Sequence, residues 1–196
     1  MKKVLDALDA LYSFEHLGIE RMENGTLLIG KAPHIAPKAW LHSIYPGLKE
    51  KQIELLKTQL GRDIPNDYLE FLKISNGIKL FTTTFCLDGF RSNYQRTIED
   101  SRQPFDILIK NVMERSLHIR SSLFCIGGYD WDGSSLYIDE RTNRVVLLDG
   151  DDEGHTIYEW DNFEVMFESE VSRLITLFDK NGVVLDEDSS TLPQRI

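Results

Sequence analysis

Apolar positions fall into helical period at both ends of the chain and into short strand-like runs between them. Val4, Leu5, Leu8, Leu11 and Tyr12 recur at i, i+1, i+4, i+7 and i+8. That spacing marks one face of an α-helix and predicts a helix over residues 3–14 that stops near Gly18. A short strand is expected at Thr26–Ile29. The next stretch, with Pro33, Pro37, Trp40 and Tyr45-Pro46-Gly47, reads as a loop and as the boundary of an N-terminal extension. Ile53, Leu56 and Leu60 form a second helical stripe, which Gly61 is placed to end in the left-handed conformation. Pro65 fits the first turn of a third helix, where a missing N–H costs nothing. Tyr68, Phe71 and Leu72 make its stripe, and Asn76-Gly77 is expected to close it.

After Gly77 the period shortens. Leu80–Leu87 is rich in β-branched and aromatic residues and predicts a strand, whereas Phe105, Leu108, Ile109 and Val112 predict a helix over 104–117. Four strands are then expected at 122–127, 134–138, 144–148 and 155–160. Their connections are too short for a crossover, so the strands must be antiparallel. A last helix is predicted over 161–179, opening at Asp161 with Glu164 three residues on. Its apolar face is Phe163, Met166, Phe167, Val171, Leu174 and Phe178. The fold class expected is α+β: a mixed, mainly antiparallel sheet of about five or six strands with flanking helices. A helix-and-strand extension, 1–45, would pack on a domain spanning 46–180, followed by a C-terminal tail, 181–196, mobile over Asp186–Ile196.

Composition adds limits. With 196 residues, 41% apolar and 28% charged, the chain can build its own core without disulfide or metal staples. Cys86 and Cys125 lie in apolar runs and read as buried small hydrophobes. Asp6 and Asp9 interrupt what would be the apolar part of a signal peptide. No run approaches the ~18 apolar residues of a membrane span. A cytoplasmic protein with no membrane contact is expected. Charge is more informative. The net charge is −10, yet residues 1–120 carry +2 and residues 121–196 carry −12. Such a surface repels phosphate backbones, which argues against direct nucleic-acid binding, and it would steer a basic partner inward.

The motifs mostly resolve into turns. Asp149-Gly-Asp151-Asp152-Glu153-Gly154 places acids at positions 1, 3 and 5 and Gly at 6, like a calcium-binding loop, but Trp160 stands where a bidentate Glu is needed. An acidic hairpin turn is the better reading. Asp130-Trp131-Asp132-Gly133 is a second acidic turn with an aromatic between two carboxylates. His16, His34, His42, His118 and His155 have no metal-ligand spacing, and Gly127-Gly128 lacks the Lys and helix of a phosphate loop. A Cys125–His155 nucleophile and base would need an exposed thiol, which FCIGG does not suggest. No catalytic residue, metal or cofactor is expected. Candidate partner-binding residues are Asp130, Trp131, Asp132, Asp149, Asp151, Asp152 and Glu153. They offer exposed charge around one aromatic anchor.

Taken together, Leu60-Gly61, Ile64-Pro65, Tyr68, Phe71-Leu72 and Asn76-Gly77, then Cys125-Ile126-Gly127 and Asn162-Phe163…Phe167, resemble the SUKH superfamily. That group takes in yeast cell-wall-assembly regulators, Syd, and many bacterial immunity proteins of polymorphic toxin systems. The resemblance implies an α+β fold with a mixed sheet and flanking helices. In bacteria it implies protection by binding a cognate toxin, often a nuclease, with a basic toxin domain as partner. A regulatory or scaffold protein of the cell-wall-assembly type is the alternative. The first ~45 residues lie outside the pattern.

Overall fold

The computed structural model describes residues 1–95, 102–151 and 154–194. In chain order its elements are α1 (Lys2–Ala10), a 3-10 helix (Leu11–Leu17), β1 (Ile19–Arg21), β2 (Leu27–Lys31), β3 (Trp40–Pro46), α2 (Glu50–Leu60) and α3 (Asn66–Ile74). β4 (Ser75–Leu80), β5 (Phe85–Leu87), a single wide turn (Ile109–Met113), β6 (Leu123–Tyr129), β7 (Ser135–Asp139), β8 (Arg144–Leu148), β9 (Thr156–Trp160) and α4 (Phe163–Thr176) follow.

The strands form one sheet in which each pairs with its sequence neighbour, β1 through β9, always antiparallel. Nine strands among the described residues exceed the expected five or six, and the sheet proper is antiparallel rather than mixed. Three omissions explain the difference. Ile19–Arg21 is wholly exposed and so carries no hydrophobic signal. Trp40–Pro46, expected as a loop, is buried along nearly its whole length because β2 and β4 flank it. The expected strand 80–87 is the second half of a β4–β5 hairpin, which turns at Phe81–Thr84. The expected extension therefore hydrogen-bonds into the sheet through β3.

The helical expectations hold where periodicity is strong. Ile53, Leu56, Leu60, Tyr68, Phe71 and Leu72 are all buried, and Gly61 ends α2 in the left-handed region at φ 64°. Asn76-Gly77, however, lies within β4 instead of closing α3. A Cβ on Gly77 would come within 2.5 Å of the Leu87 carbonyl oxygen, so glycine is required by the neighbouring strand. Asn76 clamps the chain after β5, accepting from Phe90 N (2.6 Å) and donating to Phe90 O (2.8 Å).

The predicted helix 104–117 is reduced to the wide turn. Buried Asn111 donates to Cys125 O (2.8 Å) and accepts from Cys125 N (2.9 Å), tying the segment to β6 in place of a further helical turn. The last helix is capped by Asn162, not Asp161: its side chain accepts from Val165 N at 3.0 Å. Phe163 and Phe167 are fully buried, and the face they mark packs against β8 and β9. Phe178 lies beyond the helix and stacks on Phe81 at 3.9 Å.

The helices gather on one face of the sheet around the main core. The opposite face holds a smaller cluster of Ile119, Leu123, Cys125, Tyr137, Val146 and Leu148. The wide turn of the β5–β6 connection packs on β6, and Ile119 of the same connection joins this cluster.

Candidate functional site

In an antiparallel succession alternate turns share an end of the sheet. The β4–β5, β6–β7 and β8–β9 turns accordingly lie together. Thr83 in the first donates to Asp130 Oδ2 in the second at 2.8 Å. Gly150 in the third abuts the second so closely that a Cβ there would sit 2.2 Å from the Asp132 carbonyl oxygen. The two acidic turns singled out in the sequence thus form one surface.

Two of its carboxylates are held by their own turns, and Asp130 by the neighbouring one. Asp132 accepts from Ser134 N at 2.8 Å and from the Ser134 hydroxyl, and Asp149 accepts from Asp151 N at 2.8 Å. Asp130, Asp132 and Asp151 are exposed, Asp149 is half-buried, and Trp131 stands 46% exposed among them. Asp152 and Glu153, also expected at this site, lie outside the described residues.

Ion pairing sharpens the charge picture. Several acids of residues 121–196 are paired along the sheet and α4. Glu140 meets Arg62 at 2.6 Å, Glu159 and Asp161 meet Arg144 at 2.8 and 3.0 Å, and Glu170 meets Arg173 at 2.6 Å. Lys3 reaches Glu168 at 2.7 Å, and the N-terminal ammonium reaches Glu164. Asp139 lies between Arg120 and Arg141. Asp130, Asp132 and Asp151, by contrast, make no ion pair among the described residues. Asp179, Asp186, Glu187 and Asp188 after α4 likewise make none among the described residues, whereas the acids named on the sheet and α4 are paired.

Beside these turns lies a cavity of about 320 Å³ on the sheet face opposite the helices, lined by Asp88, Phe105, Asp106, Lys110, Asp130 and the Gly127–Gly128 backbone among others. Gly127 is required there. It has φ 147°, and a Cβ would come within 2.0 Å of the Cys86 carbonyl oxygen on β5. Asp88 follows β5 and is only 9% exposed. Burial is the main cause that lifts its carboxyl to about 6; Lys110 and Lys79 pull it down and Asp106 pushes it up. None of Asp88, Asp106 and Lys110 was singled out in the sequence. The available signal was an Asp directly after the apolar run Phe85-Cys86-Leu87.

The wall behind Asp88 is built by the helix–turn–helix. Tyr68 of α3 is fully buried, and its hydroxyl lies against the carbonyls of Asp88 and Ile126, donating between them. Leu60-Gly61, Ile64-Pro65, Tyr68, Phe71-Leu72 and Asn76-Gly77 thus act as helix punctuation, core and a clamp under the cavity. The model of the SMI1 / KNR4 family (SUKH-1) matches residues 47–169. The chain belongs to this family. No curated protein matches it. All seven expected site residues, the cavity and Asp88 fall inside the span that this SMI1 / KNR4 chain shares with its family.

The remaining chemical candidates do not assemble. Cys125 is fully buried, and burial pushes its thiol up to about 12, whereas His155 is exposed on the β8–β9 turn. The segments flanking Asp149–Gly154 are strands β8 and β9, a hairpin as expected from the sequence, and not the helices of a calcium-binding hand. Among the described residues no helix is long and apolar enough to cross a membrane.

Proposed function

We propose that this member of the family is a binding protein that neutralises a cognate toxin, and that the joined acidic turns around Trp131 are its contact surface. One observation carries the reading: three carboxylates without ion pairs among the described residues, Asp130, Asp132 and Asp151, stand on adjoining turns at one end of the sheet, around an exposed tryptophan. An aromatic amid charge is the composition of an interface anchor, and concentrated negative potential accelerates encounter with a basic surface. The activity proposed is inhibition by masking, with no bond made or broken. The partner would be a basic protein, and the compartment the cytoplasm. The superfamily's immunity members, which the sequence resembles, supply the toxin as the partner's class.

The test begins with capture from the source cells and identification of the bound protein by mass spectrometry. The kinetics of the purified pair follow. Neutralising Asp130, Asp132 and Asp151 to Asn should lower the association rate on the order of tenfold at low salt and flatten its salt dependence. Trp131→Ala should act on the dissociation rate, at a cost of about 2 kcal/mol. Growth protection on co-expression with the captured protein separates immunity from a regulatory role. Unchanged kinetics in both variants would refute the surface, and captured proteins that are harmless to cells would refute the toxin.

A further inference from the structure

The charged groups around the cavity are satisfied within the protein, with one exception. Asp106 accepts from Leu108 N at 3.0 Å and from the Tyr94 hydroxyl. Lys110 donates to the Ser135 hydroxyl, and Asp130 accepts from Thr83 at 2.8 Å. Lys79, on β4, sits 3.9 Å from the centre of the Phe105 ring. Asp88 alone leaves its carboxylate without a hydrogen bond or ion pair among the described residues, although its backbone N–H donates to Ile126 O at 2.9 Å and is fixed in place. A carboxylate nine-tenths buried that no protein group partners is costly, and Asp88 lines the cavity, where water or a ligand that displaces it supplies the partner.

The cavity defines that partner's chemistry. Its size, about 320 Å³, is at the low end of ligand pockets, roughly 300–1,000 Å³, and suits one long side chain better than a cofactor. Asp88, Asp106 and Asp130 outnumber Lys110 in its lining, so the occupant should be cationic. Phe105, Ile109 and Cys86 give apolar walls for an aliphatic stem. A guanidinium loses less on leaving water than an ammonium does, and it offers paired donors to a carboxylate. Exposed Phe105, Asp130 and Gly133 form part of the lining, so the cavity reaches solvent beside Trp131.

We propose that this cavity is a guanidinium site in which Asp88 receives an arginine side chain of the protein partner. The assignment rests on the proposed binding function only for the source of that arginine. The probe is Nα-acetyl-arginine methylamide, titrated into the full chain and followed by amide NMR shifts, with the citrulline analogue as the neutral isostere. Saturable shifts should centre on Asp88, Lys110, Gly127 and Gly128, with a dissociation constant on the order of 1 mM. Asp88→Asn should weaken binding at least about tenfold, and so should lowering the pH to about 5, where Asp88 carries its proton. The groups facing it are Asp106, Lys110, Lys79 and Asp130, and the Asn variant separates Asp88 from all four.

Equal binding of the citrulline analogue, or of the arginine probe to Asp88→Asn, would overturn the site, as would no saturable shift well above the millimolar range. Because the citrulline control needs no variant, a folding defect could not mask the result. Partner capture lost on neutralising the acidic turns but indifferent to Asp88→Asn would remove the arginine contact and leave the binding function. Probe binding at Asp88 with capture indifferent to the turns would do the reverse.

Discussion

Replacing Asp88 by Asn should stabilise the protein, and the gain should grow with pH. The carboxyl rises from 3.8 to about 6 on folding, chiefly because it is buried. Below about pH 3.8 both folded and unfolded chains hold the proton, and ionisation adds no cost. Between about 3.8 and 6 the unfolded chain releases it first, so stability falls as pH rises; above about 6 the full cost remains. At 1.36 kcal/mol per pH unit that cost is about 3 kcal/mol at neutral pH. The asparagine amide has the same shape and, like the protonated carboxyl, no partner within the protein, so these two neutral penalties largely cancel and the net gain approaches about 3 kcal/mol at neutral pH. The amide penalty does not titrate, so the pH dependence of the difference is the cleaner quantity. From linkage, the gain should be about 1.4 kcal/mol larger at about pH 7.5 than at about pH 5. Urea denaturation of both proteins at the two pH values measures it, provided the m-values agree. A gain that is identical at both pH values would refute the reasoning, and so would a variant less stable at neutral pH. Either would mean that Asp88 finds a partner within the folded chain.

Three further outcomes are expected. His42 is fully buried, burial lowers its imidazole to about 3, and its Nε2 has no hydrogen-bond partner; the unfolded chain therefore takes up the proton first as pH drops below about 6.5. His42→Leu should gain about 2 kcal/mol relative to the parent between about pH 7.5 and 5, and an unchanged acid limb in chemical denaturation would contradict this. Gly127→Ala should destabilise by at least about 2 kcal/mol, read as a lower urea midpoint, because its Cβ meets the Cys86 carbonyl and its φ is left-handed. Cys125 should resist a thiol reagent in the native protein and react after denaturation; fast native labelling of Cys125 would show that β6 opens.

Much of the helical layer was legible because its stripes are long and punctuated, as in Ile53-Leu56-Leu60-Gly61 and Tyr68-Phe71-Leu72. The four closing strands were legible from short apolar runs set between turns. Strand β1 was not, since an exposed edge leaves no apolar trace, nor was β3, whose prolines and tryptophan resemble a loop until neighbours bury it on both sides. Asn76-Gly77 shows the limit of local reasoning: the same dipeptide that could end a helix is required in β4 by the approach of β5. The acidic turns were visible as turns, and the meander explains why they meet. The cavity was invisible because Asp88, Asp106 and Lys110 become neighbours only when the β5–β6 connection folds back over the sheet.

Among the described residues the single sheet begins at β1 and ends at β9, and both edge strands are poor templates for another strand. Edge β1 is three residues long and carries Glu20 and Arg21. Edge β9 carries Glu159, held by Arg144 of β8, and is bounded by an acidic turn on one side and Asp161 on the other. Short, charged edges discourage strand addition and the aggregation that follows from it. Recognition by β-augmentation, in which a peptide extends the sheet with its main chain, is therefore disfavoured at either end. The side chains at the strand tips and around the cavity are what this protein has to offer, and they read a partner's charge and shape instead of its backbone.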